Sequence, residues 1–94
     1  MHDGRTERLI GLGMTAYRDH LYDAASERLE KALEWDPQDW NARLFLGMSC
    51  LKGADYDHAR TAFLYMYKNC PNHDLRDKAW EALELIKIRE SRGS

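Results

Sequence analysis

Leu46-Gly47-Met48-Ser49-Cys50-Leu51-Lys52-Gly53-Ala54-Asp55-Tyr56-Asp57-His58-Ala59 is the stretch that decides the fold. A glycine sits inside an apolar run and a Gly-Ala-Asp break follows. Asp55 then stands where the N-cap of a new helix belongs, because its carboxylate accepts the orphan amides of a first turn. Gly47 has no side chain, so a facing helix can approach its backbone closely, and Ala59 supplies a small partner surface beyond the break. The same landmarks recur upstream: Gly13 with Gly47, Tyr22 with Tyr56, Ala25 with Ala59 and Pro37 with Pro71, each pair 34 positions apart. A fixed period of that length means one supersecondary unit used twice.

On either side of the break, Leu44, Phe45, Leu46, Met48 and Leu51 give Asn41 to Lys52 a helical pattern, and Ala59, Ala62, Phe63, Met66 and Tyr67 do so for Tyr56 to about Asn69. Upstream, Leu9, Ile10, Leu12, Met14, Ala16 and Tyr17 predict a first helix from Arg5 to about Asp19. Asp19 to Asp23 reads as a turn. Ala25, Leu29, Ala32 and Leu33 then form an apolar stripe against Glu27, Arg28, Glu30 and Lys31, which predicts a second helix ending near Trp35. Asp36-Pro37-Gln38-Asp39 and Cys70-Pro71-Asn72 stop the chain, since proline lacks a helix donor and restricts the residue before it. Leu75, Ala79, Ala82, Leu83, Leu85 and Ile86 predict a last helix from about Asp74 to Arg89. The fold class expected is all-α, with five helices and no strand.

These residues resemble the tetratricopeptide repeat family. Repeats of that family carry a Leu-Gly pair in the first helix, here Leu12-Gly13 and Leu46-Gly47. An acidic-Tyr-acidic-x-Ala run opens the second helix, here Asp55-Tyr56-Asp57-His58-Ala59, with the weaker Leu21-Tyr22-Asp23-Ala24-Ala25 in the first copy. The resemblance implies an α-α superhelix of two helical hairpins plus a C-terminal capping helix. It sets a single domain over 1–94, with repeat 1 at about 6–39, repeat 2 at about 40–73 and the terminal helix at about 74–91. Departures include Ala16 and Cys50 where the family often has an aromatic, Trp35 for leucine, Arg43 for an aromatic with Trp40 nearby, and Met66 for the small residue that Ala32 retains. The second repeat is therefore expected to be looser or differently filled.

Ninety-four residues make one small domain with a net charge of −2, which gives no pull towards nucleic acid or an anionic membrane. No basic segment followed by an apolar run opens the chain, and charges interrupt every apolar stretch, so neither a signal peptide nor a membrane span is expected. The two cysteines, Cys50 and Cys70, lack a CxxC arrangement and read as reduced thiols of a cytoplasmic protein. Cys70 and His73 have C-x-x-H spacing, but no second pair follows to close a tetrahedron, so no metal is expected.

A helix advances by about 100° per residue, which separates a face of Leu9, Leu12, Gly13 and Ala16, directed into the hairpin, from a second stripe of Ile10, Met14 and Tyr17. By the resemblance, that second stripe looks into a concave groove that binds peptides or amphipathic helices. The groove residues implied are Ile10, Met14, Tyr17 and Arg18 from the first helix, Leu44, Met48, Leu51 and Lys52 from the third, and Lys78, Ala82 and Leu85 from the last. Tyr17 and Leu51 are expected to be exposed, in an apolar groove with cations at one edge. The competing reading makes the same stripe the contact between stacked helices. The carboxylate clamp by which some members grip acidic chaperone tails is missing, because its lysine, asparagine and arginine places hold Ile10, Met14, Phe45, Leu75 and Ala79; the ligand expected is apolar.

Catalysis finds no support. Glu27, Glu30 and Glu34 form a solvated helix face, and His2, His20, His58 and His73 lack a nucleophile or acid partner. Gly11 and Gly13 lie within a helix rather than in a phosphate loop, so no cofactor is expected. Lys87, Arg89 and Arg92 are diluted by Glu81, Glu84 and Glu90, which argues against an RNA-reading repeat. Two repeats fall short of the roughly three that helical arrays need to cover their ends. The function expected is a non-enzymatic interaction module, an adaptor or co-chaperone-like scaffold binding a protein or peptide partner. The alternative is a self-associating assembly protein, a homo-oligomer joined through the groove or the terminal helix.

Overall fold

The computed structural model describes residues 4–93; the expected domain limits at 1 and 94, and His2, lie outside the described residues. Among these residues there are five helices and no strand: α1 Arg5–Arg18, α2 Tyr22–Trp35, α3 Trp40–Lys52, α4 Tyr56–Asn69 and α5 His73–Gly93. Helices α1 and α2 pack as one hairpin and α3 and α4 as the next. The hairpins join through α2 on α3, α5 packs on α4, and α1–α3 and α3–α5 touch more lightly. The odd-numbered helices thus share one side of the array.

The 34-residue period is visible atom by atom. A Cβ placed on Gly13 would lie 2.7 Å from Cγ of Leu29, and one on Gly47 would lie 2.6 Å from Cζ of Phe63; Leu29 and Phe63 are themselves one period apart. Each glycine is the gap into which the partner helix drives its largest core side chain. Ala25 and Ala59, one turn earlier on α2 and α4, are fully buried in both copies. The turns match as well. Leu21 N–H donates to Ala16 O and Asp55 N–H to Cys50 O, both at 2.8 Å, and His20 and Ala54 occupy left-handed backbone at φ 65° and 63°. That is a helix stop of the kind glycine usually supplies.

Helix starts follow local chemistry. Asp39 Oδ1 accepts from Ala42 N–H at 3.0 Å and Asp55 Oδ1 from His58 N–H at 3.3 Å, which caps α3 and α4. Leu21 holds the same position ahead of α2 without a capping side chain. The turn before α2 is shorter than the sequence suggests, because Tyr22 and Asp23 are already helical. In the α2–α3 connection, Arg43 donates from Nη2 to Pro37 O at 3.1 Å. Its guanidinium lies 4.3 Å from the Tyr65 ring centroid and 5.7 Å from that of Trp40, and those two rings stack. Arg43 and Trp40 together therefore occupy the place where the family often has an aromatic.

One core runs through the array from Leu29 to Ile86. Phe63 and Met66 are fully buried, so the second repeat is differently filled rather than loose. Leu12, expected inside the first hairpin, is 47% exposed, because no helix among the described residues covers the outer flank of α1. Helix α5 outruns its counterparts: α1 and α3 end at Arg18 and Lys52, whose equivalent is Ile86, yet α5 continues to Gly93.

Candidate functional site: the groove between α3 and α5

A cleft of about 470 Å³ opens between the two odd-numbered helices of the C-terminal half. Leu44, Phe45, Met48 and Leu51 of α3 form one wall, Lys78, Glu81, Ala82 and Leu85 of α5 the other, and Phe63 of α4 contributes between them. Its size falls within the roughly 300–1,000 Å³ of small-molecule and peptide clefts. It exists because the α5 wall is thin: Ala82 stands one period from Met48 and Ala79 one period from Phe45, so long α3 side chains face short ones.

Of the expected groove residues, Leu44, Met48, Leu51, Lys78, Ala82 and Leu85 line this cleft, while Ile10, Met14, Tyr17, Arg18 and Lys52 do not. Ile10 is half-buried against the core and Met14 is half-buried on α1. Tyr17 reaches the site indirectly, edge-on to the Phe45 ring with centroids 5.8 Å apart and to the Tyr22 ring at 5.7 Å. Burial, and secondarily Tyr22, raises the Tyr17 phenol above its ordinary pKa. Arg18 and Lys52 are exposed in the last turns of α1 and α3. Tyr17 is half-buried and Leu51 only 7% exposed; Leu51 belongs to the wall and the core together, so its expected exposure does not hold.

Phe45, Phe63 and Glu81 join the cleft without having been expected there. Phe45 had a readable signal, since its equivalents Gly11 and Ala79 are small and a large ring among small counterparts must project into space that they leave open. Glu81 had one too: it stands where Gly13 and Gly47 stand in the two hairpins. No closely packed helix can cross α5 there as α4 crosses α3, and the carboxylate is left exposed at the cleft's edge.

The rest of the molecule offers little chemistry. Among the described residues no group of three or more His, Cys, Asp or Glu is placed to hold a metal ion, and no helix is long and apolar enough to cross a membrane. Cys50 and Cys70 are free and buried. Burial first, then Asp55, Glu30 and Asp23, pushes the Cys50 thiol up to about 11, which keeps it protonated and unreactive at neutral pH. His58 Nδ1 and Asp55 Oδ2 lie 2.7 Å apart at the start of α4, both well exposed, and serve the helix cap.

Comparison with known proteins gives one result. The family model described as tetratricopeptide repeat matches residues 16–64, from the end of α1 through most of α4. No curated protein and no solved structure matched the chain. Repeats of this kind generally mediate protein–protein interaction and are typically non-enzymatic. The match spans more than half of the sequence and contains the second glycine, both alanines and the first proline of the repeat pattern: the chain belongs to the tetratricopeptide repeat family.

Proposed function

We propose that this protein is a non-enzymatic interaction module whose α3–α5 groove receives the apolar face of an amphipathic helix from a partner protein. The observation that carries this reading is the poverty of hydrogen-bonding groups in the cleft, where Lys78 and Glu81 are the only polar side chains and both sit on α5. An extended peptide would bring unpaired backbone N–H and C=O groups onto an apolar wall, at a cost of about 1–3 kcal/mol for each group left unsatisfied. A helix satisfies its own backbone and presents only side chains. Lys78 and Glu81 lie one turn apart, so they offer one charge of each sign to the polar flank of the incoming helix. Tyr17 extends the apolar surface towards α1 through Phe45, and Arg18 and Lys52 add cations at the ends of their helices. The two buried thiols accord with a cytoplasmic setting.

The test is an NMR titration with a leucine-bearing amphipathic helical peptide and a matched peptide carrying a central proline. The expected result is perturbation of Met48, Leu51, Ala82 and Leu85 by the first peptide. Affinity should fall by about a hundredfold for the second, from the ~3 kcal/mol that a helix-interior proline costs. Equal binding of the two peptides, or shifts confined to α2 and α4, would refute the reading.

A further inference from the structure

The exposed charges of α5 fall into two electrostatic halves. Asp77, Glu81 and Glu84 occupy the first, where Lys78 stands on the wall of the α3–α5 cleft, and Lys87, Arg89 and Arg92 the second. None of these six enters an ion pair among the described residues. Glu90, the carboxylate that would dilute the basic half, is taken by Arg60 of α4. The helix dipole favours acid at the start of a helix and base at its end, but only within the first and last turns. It accounts for Asp74 and Arg92 and leaves Glu81, Glu84 and Lys87 without that explanation. The acidic half carries Trp80, 49% exposed with its ring beside that of Tyr67 of α4, the basic half carries Ile88 at 53%, and Leu64 of α4 adds a third apolar side chain at 40%. Trp80, Glu84, Lys87 and Leu64 border a second cleft of about 230 Å³ on the α4 side of α5, separate from the α3–α5 groove.

The extra length of α5 supplies half of this pattern. Its continuation past Ile86 adds Lys87, Ile88, Arg89 and Arg92, in the region where the earlier hairpins turn at His20 and Ala54. Among the described residues no helix packs on the continuation as α2 and α4 pack on α1 and α3; the Arg60–Glu90 ion pair ties it to the start of α4.

We propose that the outward face of α5 is the contact of a symmetric dimer, in which the α5 helices of two copies run antiparallel. A two-fold contact requires a surface complementary to itself. Antiparallel packing about Glu84 sets Trp80 of one copy beside Ile88 of the other and brings Asp77 and Glu81 opposite Arg92 and Lys87; the two Glu84 carboxylates meet at the axis, one turn from Lys87 on each helix. Parallel packing would set like charges against like along the whole helix rather than at the axis alone. The three exposed apolar side chains make a small interface, so association is weak and depends on concentration. The contact shares Glu81 with the edge of the proposed partner groove but is otherwise separate, since Trp80, Ile88 and Leu64 take no part in that cleft.

Sedimentation velocity on the intact chain from about 10 to about 500 μM tests this by mass action. The wild type is expected to move from monomer towards twice the mass, while Ile88→Asp stays monomeric with an unchanged circular dichroism melt, since the residue faces water. Two charge-reversed variants, Asp77→Lys with Glu84→Lys and Lys87→Glu with Arg92→Glu, should each remain monomeric alone and form heterodimers when mixed. A wild type that is monomeric throughout, an Ile88→Asp protein that dimerises as well as wild type, or a mixture that fails to recover association would each overturn the proposal. None of these results bears on peptide binding at Met48 and Leu51.

Discussion

Replacing Gly47 with alanine tests the packing logic of the whole array. The added Cβ would meet three carbons of the Phe63 ring at 2.6, 2.7 and 2.9 Å, roughly an ångström inside normal contact. Phe63 is fully buried and its rigid ring cannot fold away from the new atom, so strain belongs at the upper end of the ~1–3 kcal/mol typical of overpacked cores. Alanine is a better helix former than glycine by ~1 kcal/mol in a helix interior. The difference leaves Gly47→Ala less stable by about 2 kcal/mol, or a melting temperature about 10 °C lower for a domain of this size. Gly11→Ala is the control, because nothing lies within 4 Å of its added Cβ; it retains only the propensity gain and should melt a few degrees higher. Gly13→Ala should also melt below the wild type, since its Cβ meets Cγ and Cδ2 of the fully buried Leu29 at 2.7 and 3.0 Å. Thermal unfolding followed by far-UV circular dichroism ranks the series. If Gly47→Ala melts at or above the wild type, the glycines are not the contact on which the hairpins close.

Two further outcomes follow from unequal treatment of equivalent positions. Leu21 and Asp55 precede α2 and α4 with nearly the same backbone, φ −94°, ψ 72° and φ −91°, ψ 77°, yet only Asp55 caps its helix. Leu21→Asp, at a site 57% exposed, should therefore stabilise by about 1 kcal/mol, and an unchanged urea midpoint would contradict that. Burial raises the Cys50 thiol to about 11, above the roughly 8.5 of an unfolded thiol. Its contribution to stability is complete below the unfolded value and is lost as pH climbs towards the folded one. Urea midpoints measured across that alkaline window should fall more steeply for wild type than for Cys50→Ala, a change that copies Ala16 one period earlier.

The hairpins were legible because their determinants are local and doubled. Gly47, Ala59 and Pro71 each have a twin one period earlier, and the twin converts a weak preference into a pattern. The structure then shows equivalent positions meeting in both copies, Gly13 with Leu29 and Gly47 with Phe63. The groove was less legible because its shape depends on differences between equivalent positions. Leu44, Met48 and Leu51 could be placed on a face by helical phase alone. Whether that face opens into a cleft depends on how closely α1 and α5 approach α3, which helical phase does not determine. Helix α1 therefore contributes Tyr17 at the margin, while Ile10 and Met14 stay outside the cleft. The outward face of Leu12 was missed for a related reason: phase assigns a side chain to a direction, but only the neighbouring elements of the array decide whether anything stands there.

Glu81 bears most directly on what α5 can accept. Another hairpin needs a small residue on its first helix so that the second can close over it, and the close contacts of Leu29 at Gly13 and Phe63 at Gly47 show how little room that closure leaves. A glutamate at the third such position leaves no room for the same closure on α5 and is exposed in the structure. Trp80, half-exposed beside the Tyr67 ring, and Ile88 lie near this charge, where an ordinary capping helix would present polar residues. A charge that blocks a further hairpin, combined with apolar residues that remain uncovered, distinguishes this helix from an inert cap. Helix α5 closes the core beneath it and leaves Trp80 and Ile88 exposed, the surface on which the proposed dimer rests.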